Sequence, residues 1–401
     1  MKYLIIIFIL CFSTSHINGQ SKNDIVIGKI DIIESKILNE QRRILVHVPE
    51  DLTHPNYKEK SYPVVYLLDG DAHFYSLVGM IKQLSSVNGN TVLPRMIIVG
   101  ISNTNRMRDL TPTKGERPNS GGGENFMSFI KNELIPYIDS NYPTIDYRTI
   151  IGHSLGGLTV MNTLLHQPEL FNAYVAIDPS MWYNNENLLH KIKTSPFDSN
   201  YQSKTLFLGI ANTMQKDMDT ILVKKDTTTS TRHIRAILKL NTFLNKDSEK
   251  NLTFKSKYYE DDDHGSVPLI TEYDALRFIF KFHRFKLHRS DYLNPEIDLV
   301  AKVEEYYKSL SEGFGLEMKP DEEYVNNLGY QLLENNAFKK SEEIFKLNIK
   351  NYPDSFNVYD SIGDLYMAIG NKEKAIENFK KSVSLNEKSY SKAKLLELEK
   401  E

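Results

Sequence analysis

Between Ile25 and about Leu287, short apolar runs alternate with amphipathic stretches of helical length. DIVIGKIDII and RRILVHV carry apolar residues at every second position, as half-buried strands do. YPVVYLL (62 to 68), RMIIVGI (95 to 101), RTIIGH (148 to 153), AYVAID (173 to 178), KTLFLGI (204 to 210) and LTFKSKYY (252 to 259) read as further strands. Most are continuously apolar, which fits strands covered on both faces. FMSFIKNELIPYI and LITEYDALRFIFKFHRF read as helices between them, and this alternation predicts an α/β fold with a mostly parallel central sheet. The segment 102 to 123, SNTNRMRDLTPTKGERPNSGGG, breaks the rhythm. It is polar, long for a loop, and follows a strand at the edge where open α/β sheets bind ligands, so it reads as a functional loop or a mobile insert.

Beyond about residue 290, Gly, Pro and β-branched residues thin out while Glu, Lys, Leu and Asn rise. The chain repeats itself there with a period of 34: Leu328, Gly329, Leu332, Ser341 and Phe345 align with Ile362, Gly363, Tyr366, Ala375 and Phe379. Leu-Gly early, a small residue midway and Phe four later resembles the tetratricopeptide repeat, in which small residues let paired helices approach. The resemblance spans about 324 to 389 and leaves a last helix, 389 to 401, as a cap. Two repeats bury little alone, so they are expected to pack on a helix around 297 to 311 or on the main domain. The expected domains are 20 to 290, a helical linker 291 to 323, and the repeats 324 to 401, with a plain helical hairpin extension as the alternative.

The N-terminus, MKYLIIIFILCFSTSHINGQS, reads as a secretory signal, because its apolar run is short for a bilayer of about 30 Å. Cleavage is expected after Gly19, or alternatively after Ser15, giving an exported periplasmic or extracellular protein with no membrane span after signal removal. Leu10 before Cys11 argues against a lipid anchor. Cys11 is the only cysteine, so the mature chain has no disulfide and no thiolate metal site. A net charge of -3 with pI near 6.4 gives no basic excess for nucleic acid.

Gly152-His153-Ser154-Leu155-Gly156 fits G-x-S-x-G between a strand, RTII, and a helix, GGLTVMNTLLHQ. That context puts Ser154 on a strained turn as a nucleophile, with helix N–H groups aimed at a reacting carbonyl. The expected base is His264, in the polar loop YYEDDDHGSVP after the last long strand, whereas His166, His190, His233, His283 and His288 read as solvated or core-edge residues. The oxyanion donors are read as the backbone N–H groups of Leu155 and, after the third strand, Asp71 beside Gly70. The acid should follow KTLFLGI, where Asn212 stands instead of a carboxylate. Asp219 is favoured, with Asp217 and Asp178 as alternatives and a Ser-His dyad as the rival. Arg106 and Arg108 are read as holding an anionic substrate group and Trp182 as stacking on a ring, each against ordinary loop roles. No metal is expected, since His47, His54 and His73 lack ligand spacing, and no cofactor loop occurs.

Together, LLDGDAHF, the loop NTNRMRDLTP, GHSLGG, DPSMWYN and DDDHGSVP resemble the putative-esterase family of α/β-hydrolases, which includes esterase D and the feruloyl, enterochelin and bacillibactin esterases. The match runs from about 27 to 287, and the siderophore esterases have the most similar base loop and Asp-Gly turn. The resemblance implies an α/β-hydrolase fold and hydrolysis of a small or siderophore-type ester through an acyl-enzyme, Ser154 attacking and His264 shuttling the proton. An acyltransferase on the same scaffold is one alternative. An inactive hydrolase domain binding a protein partner through the repeats is the other.

Overall fold

The computed structural model describes residues 25–49, 61–195, 197–246 and 251–400; the signal read at residues 1 to 19, Cys11 and His54 lie outside them. All eight expected strands form: β1 Lys29–Ser35, β2 Glu40–His47, β3 Tyr62–Leu67, β4 Ile97–Ile101, β5 Thr144–His153, β6 Ala173–Ile177, β7 Thr205–Ala211 and β8 Thr253–Tyr259. They pair in one sheet in the order β1-β2-β4-β3-β5-β6-β7-β8. β2 is antiparallel to both β1 and β4, and every pair from β4 onward is parallel. Burial follows position: β3, β4 and β6 are buried throughout, whereas the edge strand β8 alternates exposed and partly buried residues.

One face of the sheet is covered by the helices Leu155–His166, Tyr183–Thr194 and Arg232–Lys246 and by the run from Gly123 to Asn141. That run relaxes into a π turn at Ile130–Leu134, one residue ahead of Pro136, whose missing N–H interrupts the normal ladder. The helices Gly70–Ser85 and Val267–Ile279 cover the other face.

The linker helix, Leu299–Phe314, belongs to two cores. Leu310 and Phe314 pack with Tyr147 and Phe280 under the sheet, while Leu299 and Val303 pack with Val325, Leu328 and Ile344 of the repeats. The repeats therefore dock on both candidates, the linker directly and the main domain through it.

The repeats form two helix pairs, Glu322–Glu334 with Phe338–Asn351 and Phe356–Ala368 with Lys372–Leu385, closed by Ser391–Leu398. Their glycines carry the period into space. A Cβ on Gly329 would lie 2.4 Å from the Phe345 ring, and one on Gly363 would lie 2.4 Å from the Phe379 ring. Since both rings are fully buried, Gly363→Val is expected to force the second pair apart and to cost about 2 kcal/mol, read as a lower urea midpoint at unchanged m-value.

Candidate active site

The end of β5 turns into the helix Leu155–His166 at Ser154, whose φ of 59° and ψ of −113° are strained for a residue with a side chain. Two glycines make the turn possible. A Cβ at Gly152 would lie 2.4 Å from the Gly156 carbonyl, and one at Gly157 would lie 3.0 Å from Pro179. Backbone bonds from Ser154 N–H to Ile177 O (3.0 Å) and from Ser180 N–H to Ser154 O (2.9 Å) tie the turn to the end of β6.

His264 arrives from the far side of the sheet on a loop stiffened from within. The Asp263 carboxylate accepts from the N–H groups of Gly265 (2.8 Å) and Ser266 (2.9 Å). Asn212 joins this loop to the end of β7, donating its own N–H to Asp262 O (2.8 Å) and its amide to Glu260 O (2.9 Å). So placed, His264 Nε2 stands 3.2 Å from Ser154 Oγ, and its Nδ1 stands 2.6 Å from Asp178 Oδ2.

The carboxylate that meets His264 is thus Asp178, at the end of β6, and not the favoured Asp219. Asp219 is exposed and spends its carboxylate on the N–H groups of Ile221 and Leu222, both at 2.7 Å, as a turn cap; Asp217 is also exposed. Asp178 is fully buried, and its other oxygen accepts the Ala211 N–H at 3.0 Å. His233 Nε2 also lies 2.8 Å from Asp178 Oδ2, a contact invisible in a sequence where it is one more helical histidine. Burial would raise the Asp178 carboxyl, but hydrogen bonds from His233 and His264 outweigh it and bring it down to about 2. The ligand-type atoms of Asp178, His233 and His264 lie within 4.8 Å of one another, yet both rings point at a single oxygen and are joined through protons rather than spread around an ion.

A second histidine underlies the base. The His153 ring packs on that of His264 with centroids 4.4 Å apart, and the His73 ring meets His153 edge-on at 6.0 Å. Burial, reinforced by the neighbouring His264, pushes the His153 imidazole down to about 4, so it is neutral near pH 7.

The turn after β3 faces the elbow. Leu155 and Asp71 are the first and second residues of their helices, where backbone N–H groups have no intrahelical acceptor. Gly70 lets this turn lie against β4, since a Cβ there would sit 2.6 Å from the Gly100 carbonyl carbon. Arg106, read as an anion holder, clasps Asp69 instead: its Nε and Nη2 reach Asp69 Oδ1 and Oδ2 at 2.6 and 2.9 Å. Arg108, given the same role, pairs with Glu40 (2.6 Å) and Asp109 (2.7 Å), and Asp109 in turn pairs with the buried Arg42 at 2.7 Å. These pairs tie the 106 to 109 turn of the segment 102 to 123 to β2 and to the turn after β3. Trp182 is half-buried, with the exposed Arg232 guanidinium 4.2 Å over its ring. Among the described residues Arg232 forms no ion pair, so the cation beside Trp182 is one the sequence did not single out.

The model described as "Putative esterase" matches residues 35–267, and a tetratricopeptide-repeat model matches 356–389. The ferri-bacillibactin esterase BesA of Bacillus subtilis (strain 168) is 31% identical over 198 residues, which are 45% of this chain and 68% of the relative. A siderophore triacetylfusarinine C esterase of Aspergillus fumigatus is 26% identical over 245 residues, 55% of this chain and 84% of the relative. Among solved structures, an IroE-like serine hydrolase from Shewanella oneidensis aligns with a TM-score of 0.65 at 31% identity, covering 80% of this chain and 98% of that one. With more than half of the chain matched and the sheet order, elbow and base loop in place, the protein belongs to the putative-esterase family and carries a tetratricopeptide repeat at its C-terminal end.

Proposed function

We propose that the protein is an exported serine ester hydrolase that works through an acyl-enzyme, with siderophore-type esters as its substrate class. The observation that carries this reading is the line of contacts from Ser154 Oγ to His264 Nε2 and from His264 Nδ1 to Asp178. In the proposed reaction Ser154 Oγ attacks the ester carbonyl while His264 Nε2 takes its proton, and the buried Asp178 charge stabilises the imidazolium that results. The carbonyl oxygen becomes an oxyanion bound by the N–H groups of Leu155 and Asp71. Its collapse expels the alcohol, which receives the proton from His264, and a water activated by the same ring then releases the acid. Siderophore esters enter because the named relatives act on them, and export is supported by the apolar leader.

Incubation of the mature chain with a fluorophosphonate probe, followed by peptide mass spectrometry, is expected to place one label on Ser154. Aryl acetates should be hydrolysed by the free chain and not by the labelled one. An unlabelled Ser154 in folded protein, or hydrolysis that survives labelling, would refute the serine mechanism.

A further inference from the structure

Burying one carboxylate beneath one imidazole is the usual arrangement for holding a base. Here two imidazoles share a single oxygen: His264 through Nδ1 at 2.6 Å and His233 through Nε2 at 2.8 Å. The carboxylate's second oxygen is taken by the Ala211 N–H, so Asp178 meets three donors and no solvent. Asp178 also sits at a φ of 40°, unfavourable for a non-glycine residue, and therefore needs outside contacts to stay in place. His233 comes from the helix Arg232–Lys246, an element independent of the elbow and of the base loop, and its ring stands perpendicular to that of His264 with centroids 5.0 Å apart.

We infer that His233 is a positioning residue for the reaction: by donating to Asp178 Oδ2 it fixes the carboxylate under His264 and takes up part of its charge. The inference rests on the serine-hydrolase reading for its kinetic consequence, but not for its effect on the resting protein. Asp178 is acceptor-only when ionised, so both rings must present an N–H to it. His264 is thereby held with its proton on Nδ1, leaving the Nε2 lone pair for Ser154. The other titratable or charged groups around the pair are His153 at the end of β5, His73 beyond it, Asp263 on the base loop and Arg232 next to His233.

The test compares His233→Leu, which removes the donor, with His233→Gln, whose amide keeps an N–H at similar reach. Ring NMR of the full-length resting protein follows the His264 Nδ1–H resonance, bonded to Asp178, without any substrate. In His233→Leu that resonance is expected to shift and broaden as the carboxylate loosens, and in His233→Gln to stay near its wild-type position. In turnover of an aryl acetate, His233→Leu should lower kcat about tenfold with KM unchanged, and His233→Gln should recover most of that loss. A His264 Nδ1–H resonance unchanged in His233→Leu overturns the inference, whatever happens to turnover. A loss of kcat that Gln does not restore overturns it too, because packing alone would explain it. If no ester is hydrolysed, the serine-hydrolase reading fails, while the Nδ1–H resonance still decides the role of His233.

Discussion

Asp178→Asn is expected to lower kcat for aryl acetate hydrolysis by about 10³ to 10⁴-fold while Asp219→Asn leaves it unchanged. The asparagine would keep the shape of the buried side chain but lose its charge, and its NH2 would have to face either the Ala211 N–H or the two imidazole N–H groups, all of them donors. His264 would then be free to turn its protonated nitrogen towards Ser154, and the imidazolium formed on attack would have no counter-charge. Ser154→Ala should reach the same floor, and the double variant should be little worse, since residues acting as one unit do not add. Asp219 caps an exposed turn and has no path to the base. Steady-state kinetics on the variants, with circular dichroism to confirm the fold, separates the two carboxylates. Full activity in Asp178→Asn would require another acceptor for His264.

Glu272→Met is expected to raise stability, by an amount that grows with pH. Glu272 lies on the buried side of the helix Val267–Ile279, is 1% exposed, and neither of its carboxyl oxygens meets a hydrogen-bond partner. Burial pushes the carboxyl up to about 8. An acid raised on folding binds its proton more tightly in the native state, so its stability contribution is complete below pH 4.5 and is lost as pH rises through 8. That span corresponds to on the order of 5 kcal/mol, on top of about 1 to 3 kcal/mol for an unsatisfied buried carboxyl at any pH. Methionine fills a similar volume without either cost. Thermal melts at pH 5 and pH 9 should therefore show a modest gain at the lower pH and a much larger one at the higher. Equal gains at both would mean that Glu272 does not titrate in this window.

What could be read in the sequence follows from how locally each feature is determined. The eight strands were legible because a parallel sheet covered on both faces demands runs such as YPVVYLL, and the repeats because Gly329 and Gly363 recur with their phenylalanines. Ser154 and His264 were legible because each sits in a short motif whose neighbours serve the same turn. The acid was not. Any carboxylate after β6 or β7 could meet the base, and the choice depends on which loop end points inward, which no spacing encodes. His233 was missed for a related reason, since an amphipathic helix places histidines at its edge for many purposes. The ion pairs of Arg106 and Arg108 are not legible in the sequence, because their partners, Asp69 and Glu40, lie 37 and 68 positions away. Those pairs tie Arg106 to the turn after β3 and Arg108 to the start of β2.

The helix Leu299–Phe314 has its C-terminal end in the core under the sheet and its N-terminal end in the repeat core, with 16 residues of uninterrupted helix joining them. It acts as a rigid strut. Heat or denaturant that loosens one core withdraws support from the other, so the two parts are expected to melt in one calorimetric transition, and two separated transitions would show that the strut does not couple them. Whatever docks on the repeats is carried at a fixed distance and angle from Ser154.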